Sequence, residues 1–592
     1  MSSELEEPAA DVLVIGGGFA GTLAAIKARQ HGAPDVVLID KSGFGRGGPS
    51  AFCSGVLAAP IPQEDDIESW MQLAVRQSEY LIDQEWLRIS LLETYDRLKE
   101  LDKWGMENLG RYVLEKTRKG TFERIPCRAG VQCVMFQGGS LVMDVLRKEC
   151  ERRSIRVLDR VMITAILADN SRAFGAAGFD VRSGDFKVFQ AGAIVIAAGG
   201  NRYKMIKPGT RVVTGDSHAM AFRVGAELIN YDVQCAHECL VPSPLFEGSG
   251  AMNMFFGQGA KYVNKHGEPF MSEYDSACED AATLSTLTGA MAMEVELGNG
   301  PIYLDATHFS PTQVEKVRKM DPIAAKCLEA VGVIVGDKID RKIEAKAAAP
   351  GTIACGGGIR VNTKCETSIR GLYAAGDAAG VRVIGGGALG GGPFALVSGA
   401  RAGTFAAKHA RRVAKKPRTE IVTNKADAVR KLTYEPLRCK EGMDPEYIFR
   451  MLLESFVPYR ICLIRRQERL QKALKGIREL RDLASRISVS DYHNLMFSHE
   501  VKNMVLCAEL ALHCWLERKE SRSFHLRDDY RNMDNVHWLK WIIAKKRRNG
   551  EIQLTTEAIP FERYPHKPDR KIIKHPLWAI AEGRRKVGHS KD

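Results

Sequence analysis

The feature that most constrains the fold is a glycine-rich turn between two short apolar runs near the start of the chain. Residues 11–15 (DVLVI) predict a buried strand, GGGFAG follows at once, and TLAAIKARQHG predicts a helix. A second buried strand, VVLID at 36–40, ends in an acidic residue. This order of strand, glycines, helix, strand and acid predicts a β-α-β unit of the dinucleotide-binding type.

The glycines of this turn match the spacing G-x-G-x-x-G. The first is expected to make the tight turn, the second to let backbone amides approach a pyrophosphate, and the third to pack helix against strand. Asp40, nineteen residues after the last glycine, is expected to accept hydrogen bonds from an adenosine ribose. The predicted binding residues of the turn are Gly16, Gly18, Phe19, Ala20 and Gly21.

Two later segments favour FAD over NAD. The run AIVIAAGG at 193–200 predicts a buried strand with a glycine turn, and GLYAAGDAAG at 371–380 brings an acidic residue to another. They are similar to the second and third fingerprints of FAD-dependent proteins, and a single NAD domain has no use for the third. The segment TGDSHAMAFRVGAEL at 214–228 predicts a capped helix. The additional residues expected to contact the cofactor are Ala198, Gly199, Asp216, Gly376 and Asp377.

The order of these segments resembles the succinate dehydrogenase and fumarate reductase flavoprotein family, which also includes L-aspartate oxidase and the alpha subunit of adenylylsulfate reductase. Further matches are GAKYVNKHGEPFMSEY, CETSIRGLYAAGDAAG, and RKESRSFHLRDDY followed by DNVHWLKW. The resemblance covers roughly residues 10–545. Among its members, those like the adenylylsulfate reductase alpha subunit are taken as nearest in character.

The resemblance implies noncovalent FAD. Covalent attachment in the family uses a histidine shortly after the first β-α-β unit, whereas this chain has none between His31 and His218. Besides the glycine turns, the residues expected to hold FAD are Lys41, Ser42, Gly47, Gly48 and Ser50.

The length of 592 residues exceeds what one hydrophobic core supports. The predicted fold is α/β: a two-dinucleotide-binding, Rossmann-like FAD domain with an inserted α+β cap domain and a C-terminal helical domain. The FAD-binding domain is expected at 1–230 and 346–420, the cap at 231–345, the helical domain at 421–550, and a basic tail at 551–592.

Composition and charge limit the kinds of partner that the chain is expected to have. The net charge is +13, and basic runs such as KKRR at 545–548 indicate a dock for an acidic protein or a solvated face. No nucleic-acid-binding signature accompanies them. Fourteen cysteines occur without any C-x-x-C, so no metal site is expected in this chain. Without a stretch of about eighteen apolar residues or a signal layout, the chain is expected to be cytoplasmic and to lack a membrane span.

The chain departs from its family at the substrate-binding positions. Dicarboxylate members place a catalytic arginine in a cap helix, in a pattern like LASRDVVSRAM. The corresponding stretch, DAATLSTLTGAMAMEVELGNGPIYLD, has Leu284 at that position and Gly289 at the next arginine. No arginine occurs from Val224 to Gln313. Because a guanidinium that grips a carboxylate contributes strongly to binding, fumarate or succinate turnover is not expected.

Three residues are candidates for the missing chemistry. His237, flanked by Cys235 and Cys239, lies where the cap meets the flavin in relatives and is a candidate acid or base. Cys355 lies in an ACGGG turn that faces the flavin in relatives, and Arg382 lies near the family's second substrate arginine. The alternative for the histidine is a structural role, and for the cysteine that of a small buried apolar residue.

The first functional hypothesis is a catalytic FAD-dependent oxidoreductase subunit. It would exchange a hydride with an unidentified small substrate and pass electrons singly to a ferredoxin-like iron–sulfur partner in a hetero-oligomer. The second is a noncatalytic subunit that relays electrons or supports assembly, which the missing family residues favour. The third is a divergent fumarate reductase or L-aspartate oxidase with a relocated arginine.

Overall fold

The computed structural model describes most of the chain. The described residues are 9–53, 55–126, 131–169, 172–204, 209–233, 235–236, 239–243, 255, 258–320, 322–348, 353–354, 356–381, 391–413 and 419–588.

The first part of the chain alternates strands and helices. Its elements are β1 (Ala10–Ile15), α1 (Phe19–Gln30), β2 (Val36–Ile39), α2 (Gly48–Phe52), β3 (Val56–Ala58), α3 (Ile67–Gln77), α4 (Gln84–Leu109), β4 (Arg124–Pro126), β5 (Gln132–Met135), α5 (Gly139–Arg152), β6 (Arg156–Leu158), β7 (Val161–Ala168), β8 (Ala173–Asp180), β9 (Phe186–Ile196), α6 (Asp216–Arg223) and β10 (Leu228–Ile229).

The middle of the chain begins with an excursion of short strands and helices. These are β11 (Cys235–Ala236), β12 (Cys239–Val241), β13 (Lys261–Val263), α7 (Met271–Tyr274), α8 (Leu284–Glu296), β14 (Ile302–Asp305), α9 (Pro311–Met320), α10 (Pro322–Ala330), β15 (Ile334–Val335), β16 (Lys338–Ile339), β17 (Ile343–Lys346) and β18 (Ile353–Ala354). The chain then returns through β19 (Gly358–Ile359), β20 (Leu372–Ala374) and α11 (Gly391–Ala410).

The last part begins as helices and ends as strands. Its elements are α12 (Thr419–Thr433), α13 (Glu435–Arg438), α14 (Pro445–Phe456), α15 (Tyr459–Cys462), β21 (Ile464–Arg465), α16 (Gln467–Ala484), α17 (Tyr492–Glu517), β22 (Leu526–Arg527), β23 (Asn532–Asp534), β24 (Lys540–Lys546), β25 (Ile552–Ala558), β26 (Ile572–Lys574) and α18 (Pro576–Gly588).

A seven-stranded sheet carries the predicted glycine turns. Its strand order is β6-β2-β1-β9-β8-β7, and β20 pairs with β9 beside this path. Strands β6, β2, β1, β9 and β20 run parallel, whereas β7, β8 and β9 pair antiparallel. Strand β2, most of β1 and the end of β9 are apolar runs buried on both faces, as is usual where helices cover a parallel sheet. The turns after β1, β9 and β20 therefore meet at one edge.

The excursion forms its own small sheet. Strands β12, β17, β14 and β13 pair antiparallel in that order. A two-stranded ladder links residues 235–236 to residues 353–354, so the chain enters and leaves this unit side by side. This agrees with the predicted α/β fold with an inserted α+β cap, and that fold class is confirmed by the structural relatives given below. The exact domain boundaries stay predictions.

Two details of the predicted C-terminal organisation differ from the structure. The segment 421–550 is helical only as far as Glu517, and β24 at its end pairs antiparallel with β10 of the FAD-binding domain. The predicted basic tail, 551–592, includes β25, which pairs with β24 along its whole length. The reason is the continuous apolar run WIIA within KWIIAKK, which is buried and suits a strand inside a sheet, whereas the neighbouring charge alone drew attention in the sequence.

The predicted helix at 214–228 is also shorter than its pattern. The helix α6 begins at Asp216 and ends at Arg223, because Gly225 takes a positive φ of 87° and ends the helix.

Candidate functional site

A cavity of about 310 Å³ lies along the carboxyl edge of the parallel sheet. Its walls include Ile15 at the end of β1, Ile39 at the end of β2, Ala197 after β9 and Gly376 after β20. The first turns of α1 and α11 close it from the side. Ligands of open α/β sheets bind outside the carboxyl ends of the strands, so this is the expected position for a nucleotide.

The turn after β1 holds the start of α1 against the sheet. Gly16 has a φ of 112°, and a Cβ there would lie 2.4 Å from the carbonyl oxygen of Ala197. A Cβ on Gly21 would lie 1.8 Å from the carbonyl oxygen of Gly16. Only glycine fits either position, and the backbone amides of the turn are thereby brought to the cavity wall.

Asp40 closes the turn from the second strand. Its carboxylate accepts hydrogen bonds from the amide of Gly17 at 2.8 Å and from the amide and hydroxyl of Ser42 at 2.7 and 2.8 Å. Burial raises the pKa of the Asp40 carboxyl, although these hydrogen bonds oppose the rise. A carboxylate offers about four lone-pair positions, so one remains for a ribose hydroxyl.

Lys41 lines the cavity with its ammonium turned toward protein groups. Its Nζ donates to Thr214 Oγ1, to Asp216 Oδ2 and to Glu500 Oε1, each at 2.7 Å. An ammonium has three protons, and this one uses all three on the protein. Lys41 can therefore act on a cofactor by holding Asp216 in place, and this refines the direct contact expected from the sequence.

Charge governs the titration of this buried pair. Burial disfavours the charged form of Lys41, but the carboxylates of Asp216 and Glu500 outweigh it and hold the lysine pKa above its usual value. Burial likewise opposes ionisation of Asp216, yet the ammonium of Lys41 brings the pKa of that carboxyl below its usual value. Both side chains are consequently charged at neutral pH.

Arg202 faces Asp377 at the same cavity. The guanidinium Nη2 lies 3.3 Å from Asp377 Oδ2, and both side chains are partly exposed to the cavity. Among the described lining residues, Arg202 and Lys41 are the cations. Because the ammonium of Lys41 is already used, Arg202 is the lining cation that can approach an anionic ligand.

Fifteen of the sixteen predicted cofactor residues line this cavity, and Gly21 packs behind the turn instead. Several lining residues were not predicted from the sequence: Gly17, Pro49, Cys53, Arg202, Val213, Met220, Gly391, Gly392 and Ala395. A signal existed for Arg202, which follows the AAGG turn by two residues. The others are small or apolar and carry no pattern that separates them from core residues.

The predicted catalytic residues His237, Cys355 and Arg382 lie outside the described residues. The two positions that lack the family's arginines, Leu284 and Gly289, lie within the described residues. Leu284 begins α8 after the Thr283 cap, and Gly289 lies buried on the same helix. A Cβ on Gly289 would lie 2.4 Å from Leu577 Cδ1, so α18 covers the place that a longer side chain would need.

These features fit an adenine dinucleotide. The cavity offers backbone amides at a helix start, an acidic residue at the end of the second strand, and a third turn with Asp377. The glycines leave room where side chains would enter: a Cβ on Gly18 would lie 3.0 Å from Ser50 Oγ, and Gly48 has open space around it. The fold and cavity define an FAD-binding flavoprotein.

Comparisons with known proteins agree with this class. Residues 11–393 match the family model described as FAD binding domain, and residues 451–573 match the model described as fumarate reductase flavoprotein C-term. The chain belongs to the fumarate reductase and succinate dehydrogenase flavoprotein family, and it is an FAD-dependent oxidoreductase. The predicted family and cofactor are thereby confirmed.

A relative and two solved structures illustrate the match. One subunit of the fumarate reductase (CoM/CoB) of Methanothermobacter marburgensis is 27% identical over 548 residues, which cover 90% of this chain and 96% of the relative. A quinol fumarate reductase variant of E. coli has a TM-score of 0.83 at 22% identity, covering 95% of this chain and 99% of the other. Adenylylsulfate reductase of Archaeoglobus fulgidus gives 0.75 at 21%, covering 94% and 97%. The structural likenesses concern the fold.

No helix in the described ranges combines the length and the apolar character that a bilayer crossing requires. Nor does that part of the chain contain a group of three histidine, cysteine or acidic side chains arranged to hold a metal ion.

Proposed function

We propose that this chain is the flavoprotein subunit of a hetero-oligomeric oxidoreductase, exchanging a hydride with a small substrate and passing electrons singly to a ferredoxin-like iron–sulfur subunit. The observation that carries the proposal is the cavity with three converging turns, in a chain where the described residues hold no metal cluster. Bound FAD supplies both two-electron and one-electron chemistry.

The chain's own residues would hold the cofactor in a fixed orientation. The amide of Gly17 donates to Asp40 and that of Phe19 to Ser50, so the remaining amides at the α1 start would bind the diphosphate, and Asp40 would accept from a ribose hydroxyl. Asp377, paired with Arg202, would face the ribityl or diphosphate portion. In this proposal no covalent bond forms, since no histidine lies between His31 and His218.

The substrate is proposed to be other than a dicarboxylate. Leu284 and Gly289 stand where the family's cap arginines would be, and Leu577 occupies the space beside Gly289. A carboxylate bound there would lose its fork-shaped cation. A less charged molecule, or a thiol or sulfur compound reaching Cys355, fits the remaining chemistry, with His237 as acid or base and Arg382 as anion ligand.

The names of relatives support a multi-subunit enzyme. The Methanothermobacter marburgensis relative is named as one subunit of its enzyme, and the Mycobacterium tuberculosis relative, 25% identical over 593 residues, is named as a flavoprotein subunit. The same missing arginines favour a second candidate, a noncatalytic subunit that relays electrons or supports assembly of the complex.

Purification of the native complex tests both candidates. The iron and flavin content and their spectra are recorded, and substrates are then added anaerobically while the flavin absorbance is followed. If the subunit is catalytic, at least one small donor is expected to bleach its flavin directly, without electrons from a reduced iron–sulfur subunit. Bleaching that occurs only when a reduced iron–sulfur subunit is present would support the relay, and rapid bleaching by succinate would contradict the proposed substrate class.

A further inference from the structure

The helix α17 reaches from the C-terminal helices to the cofactor cavity. Glu500 on this helix has a side chain only 1% exposed, and its two oxygens are each taken by a lysine. Oε1 accepts from Lys41 at 2.7 Å, and Oε2 accepts from Lys204 at 2.6 Å. The lysines come from the segments after β2 and after β9, so one carboxylate joins two walls of the FAD-binding domain.

Asn503 lies one turn further along the same helix. Its Nδ2 donates to Asp216 Oδ1 at 2.8 Å, an oxygen that also accepts from Thr214 Oγ1 at 3.1 Å. The other oxygen of Asp216 accepts from Lys41. Both oxygens of the cavity-lining carboxylate are thus fixed, and one of these bonds comes from a helix about 290 residues away in sequence.

The charges of this cluster balance. Lys41 and Lys204 face Asp216 and Glu500, two positive groups against two negative ones, all largely buried. Removing one partner of a buried ion network leaves an uncompensated charge, and the remaining groups shift toward whatever acceptor is left. Without Glu500, Lys204 would lose the carboxylate that it contacts, and Lys41 would keep only Asp216, whose carboxylate lines the cavity.

We infer that Glu500 and Asn503 are positioning residues for the FAD site: they fix Lys41 and Asp216 from α17, so cofactor binding and docking of this helix are coupled. The inference rests on the assignment of the cavity to FAD and is independent of the proposed substrate and partner. Neither residue lines the cavity, so both act through groups that do.

The same helix supplies a matched control. Glu509 has a side chain 4% exposed and accepts from Arg481 Nη1 at 2.8 and 3.1 Å, away from the cavity. Glu500→Gln and Glu509→Gln make the same chemical change to two buried carboxylates of α17. Both variants are expected to unfold at a lower temperature, because each leaves cationic groups without a carboxylate.

The full-length chain is stripped of flavin and titrated with FAD, following flavin fluorescence, and the melting temperature is measured with and without FAD. Glu500→Gln is expected to raise the Kd for FAD about tenfold to a hundredfold, the effect of losing a charged hydrogen bond. It should also reduce the rise in melting temperature that FAD produces. Glu509→Gln should keep the wild-type Kd and the full rise.

A Kd for Glu500→Gln within about twofold of wild type overturns the inference. If that variant does not fold, Lys204→Met combined with Glu500→Gln removes one charge of each sign and keeps the cluster neutral. This double variant should still bind FAD weakly, because Lys41 has lost the negative charge of its partner at position 500, and a wild-type Kd again overturns the inference. Failure of the wild-type chain to bind FAD would instead overturn the cavity assignment itself.

Discussion

The guanidinium of Arg202 lies 3.3 Å from the carboxylate of Asp377, so the turn after β9 and the turn after β20 are joined by an ion pair within the cavity. The two turns belong to neighbouring parallel strands whose carboxyl ends lie side by side. The pair brings a positive charge to a site whose expected ligand carries a diphosphate.

Replacing Arg202 by glutamine is expected to weaken FAD binding about tenfold, because it removes the lining cation that still has donors for an anion. Arg202→Lys should bind FAD with intermediate affinity, since the charge remains while the fork of donors is lost. Fluorescence titration at low and high salt measures both effects. Arg88→Gln, which removes an exposed arginine, is the control, and an equal loss there would contradict the prediction.

Gly21→Ala is expected to lower the free energy of unfolding by about 1–3 kcal/mol and to deplete bound FAD, because the new methyl group overlaps the carbonyl oxygen of Gly16. Gly476→Ala on α16 serves as control, since open space surrounds that glycine and alanine favours a helix by about 0.5–1 kcal/mol. Urea unfolding measures the stability of each variant, and the flavin content of the purified protein measures its bound FAD. Equal stabilities for the two variants would disprove the packing argument.

Stability is expected to fall as the pH drops from 7 to 5. Burial lowers the pKa of His218 to about 4 and that of His499 to about 4. In the unfolded chain each pKa is about 6.5, so the unfolded state binds more protons in this window and folding becomes less favourable. The contribution is present above pH 6.5 and is lost toward pH 4, with about 2 kcal/mol per histidine lost between pH 7 and 5.

Chemical denaturation at the two pH values measures this loss. His499→Gln keeps a side-chain donor near the Thr433 carbonyl, which His499 contacts at 2.9 Å, and removes the titration. Its stability should depend less steeply on pH than that of the wild-type chain. An unchanged slope would show that His499 does not contribute.

Restoring an arginine on α8 is expected to damage the fold without giving fumarate reduction. Gly289→Arg would place its first side-chain carbon against Leu577 and Leu526, and overpacking of this kind costs about 1–3 kcal/mol or more. Val295→Arg on the same helix, at a position 37% exposed, should change stability by less than about 0.5 kcal/mol. Thermal unfolding gives the first comparison. Succinate-driven flavin bleaching by Gly289→Arg would refute the second claim.

Trp578→Ala is expected to destabilise the protein by about 3–5 kcal/mol, as for a large buried aromatic side chain. The indole of Trp578 is buried, donates to Ser521 Oγ at 3.1 Å, and lies under the guanidinium of Arg531. Lys571→Ala, which truncates a side chain 71% exposed, should have almost no effect. Equal melting temperatures for both variants would contradict this prediction and would favour the expectation that residues 551–592 form a tail.

The sequence predicted those parts of the site that depend on local patterns. Gly16, Gly18 and Asp40 are recognisable because strand, turn and helix follow each other without interruption. Glu500 could not be found in this way, since its role depends on the packing of α17 against Lys41 and Lys204, which lie 459 and 296 residues earlier in the sequence.

At the C-terminus the prediction relied on charge, and it differs from the structure. The run KKRR drew attention to a basic tail, whereas the continuous apolar run WIIA within KWIIAKK favours the strand β24, which pairs with β10 and β25. The predicted helix after Asp216 was also too long, although Gly225 just past its end, with a φ of 87°, is a stop signal that the sequence itself contains. The pairing of β24 with β10, by contrast, depends on contacts that a local pattern does not contain.

Because β20 joins the sheet late in the sequence, the cofactor site is completed in a fixed order during synthesis. When a ribosome has produced residues 1–230, strand β9 still lacks the neighbour that Leu372–Ala374 will supply, and the carboxylate of Glu500 has not been translated. The described walls of the pocket extend to Ala395, so the nascent chain must emerge at least that far before they all exist. We expect FAD to bind after that point of synthesis, and the hydrogen bond from Lys41 to Glu500 to form later still.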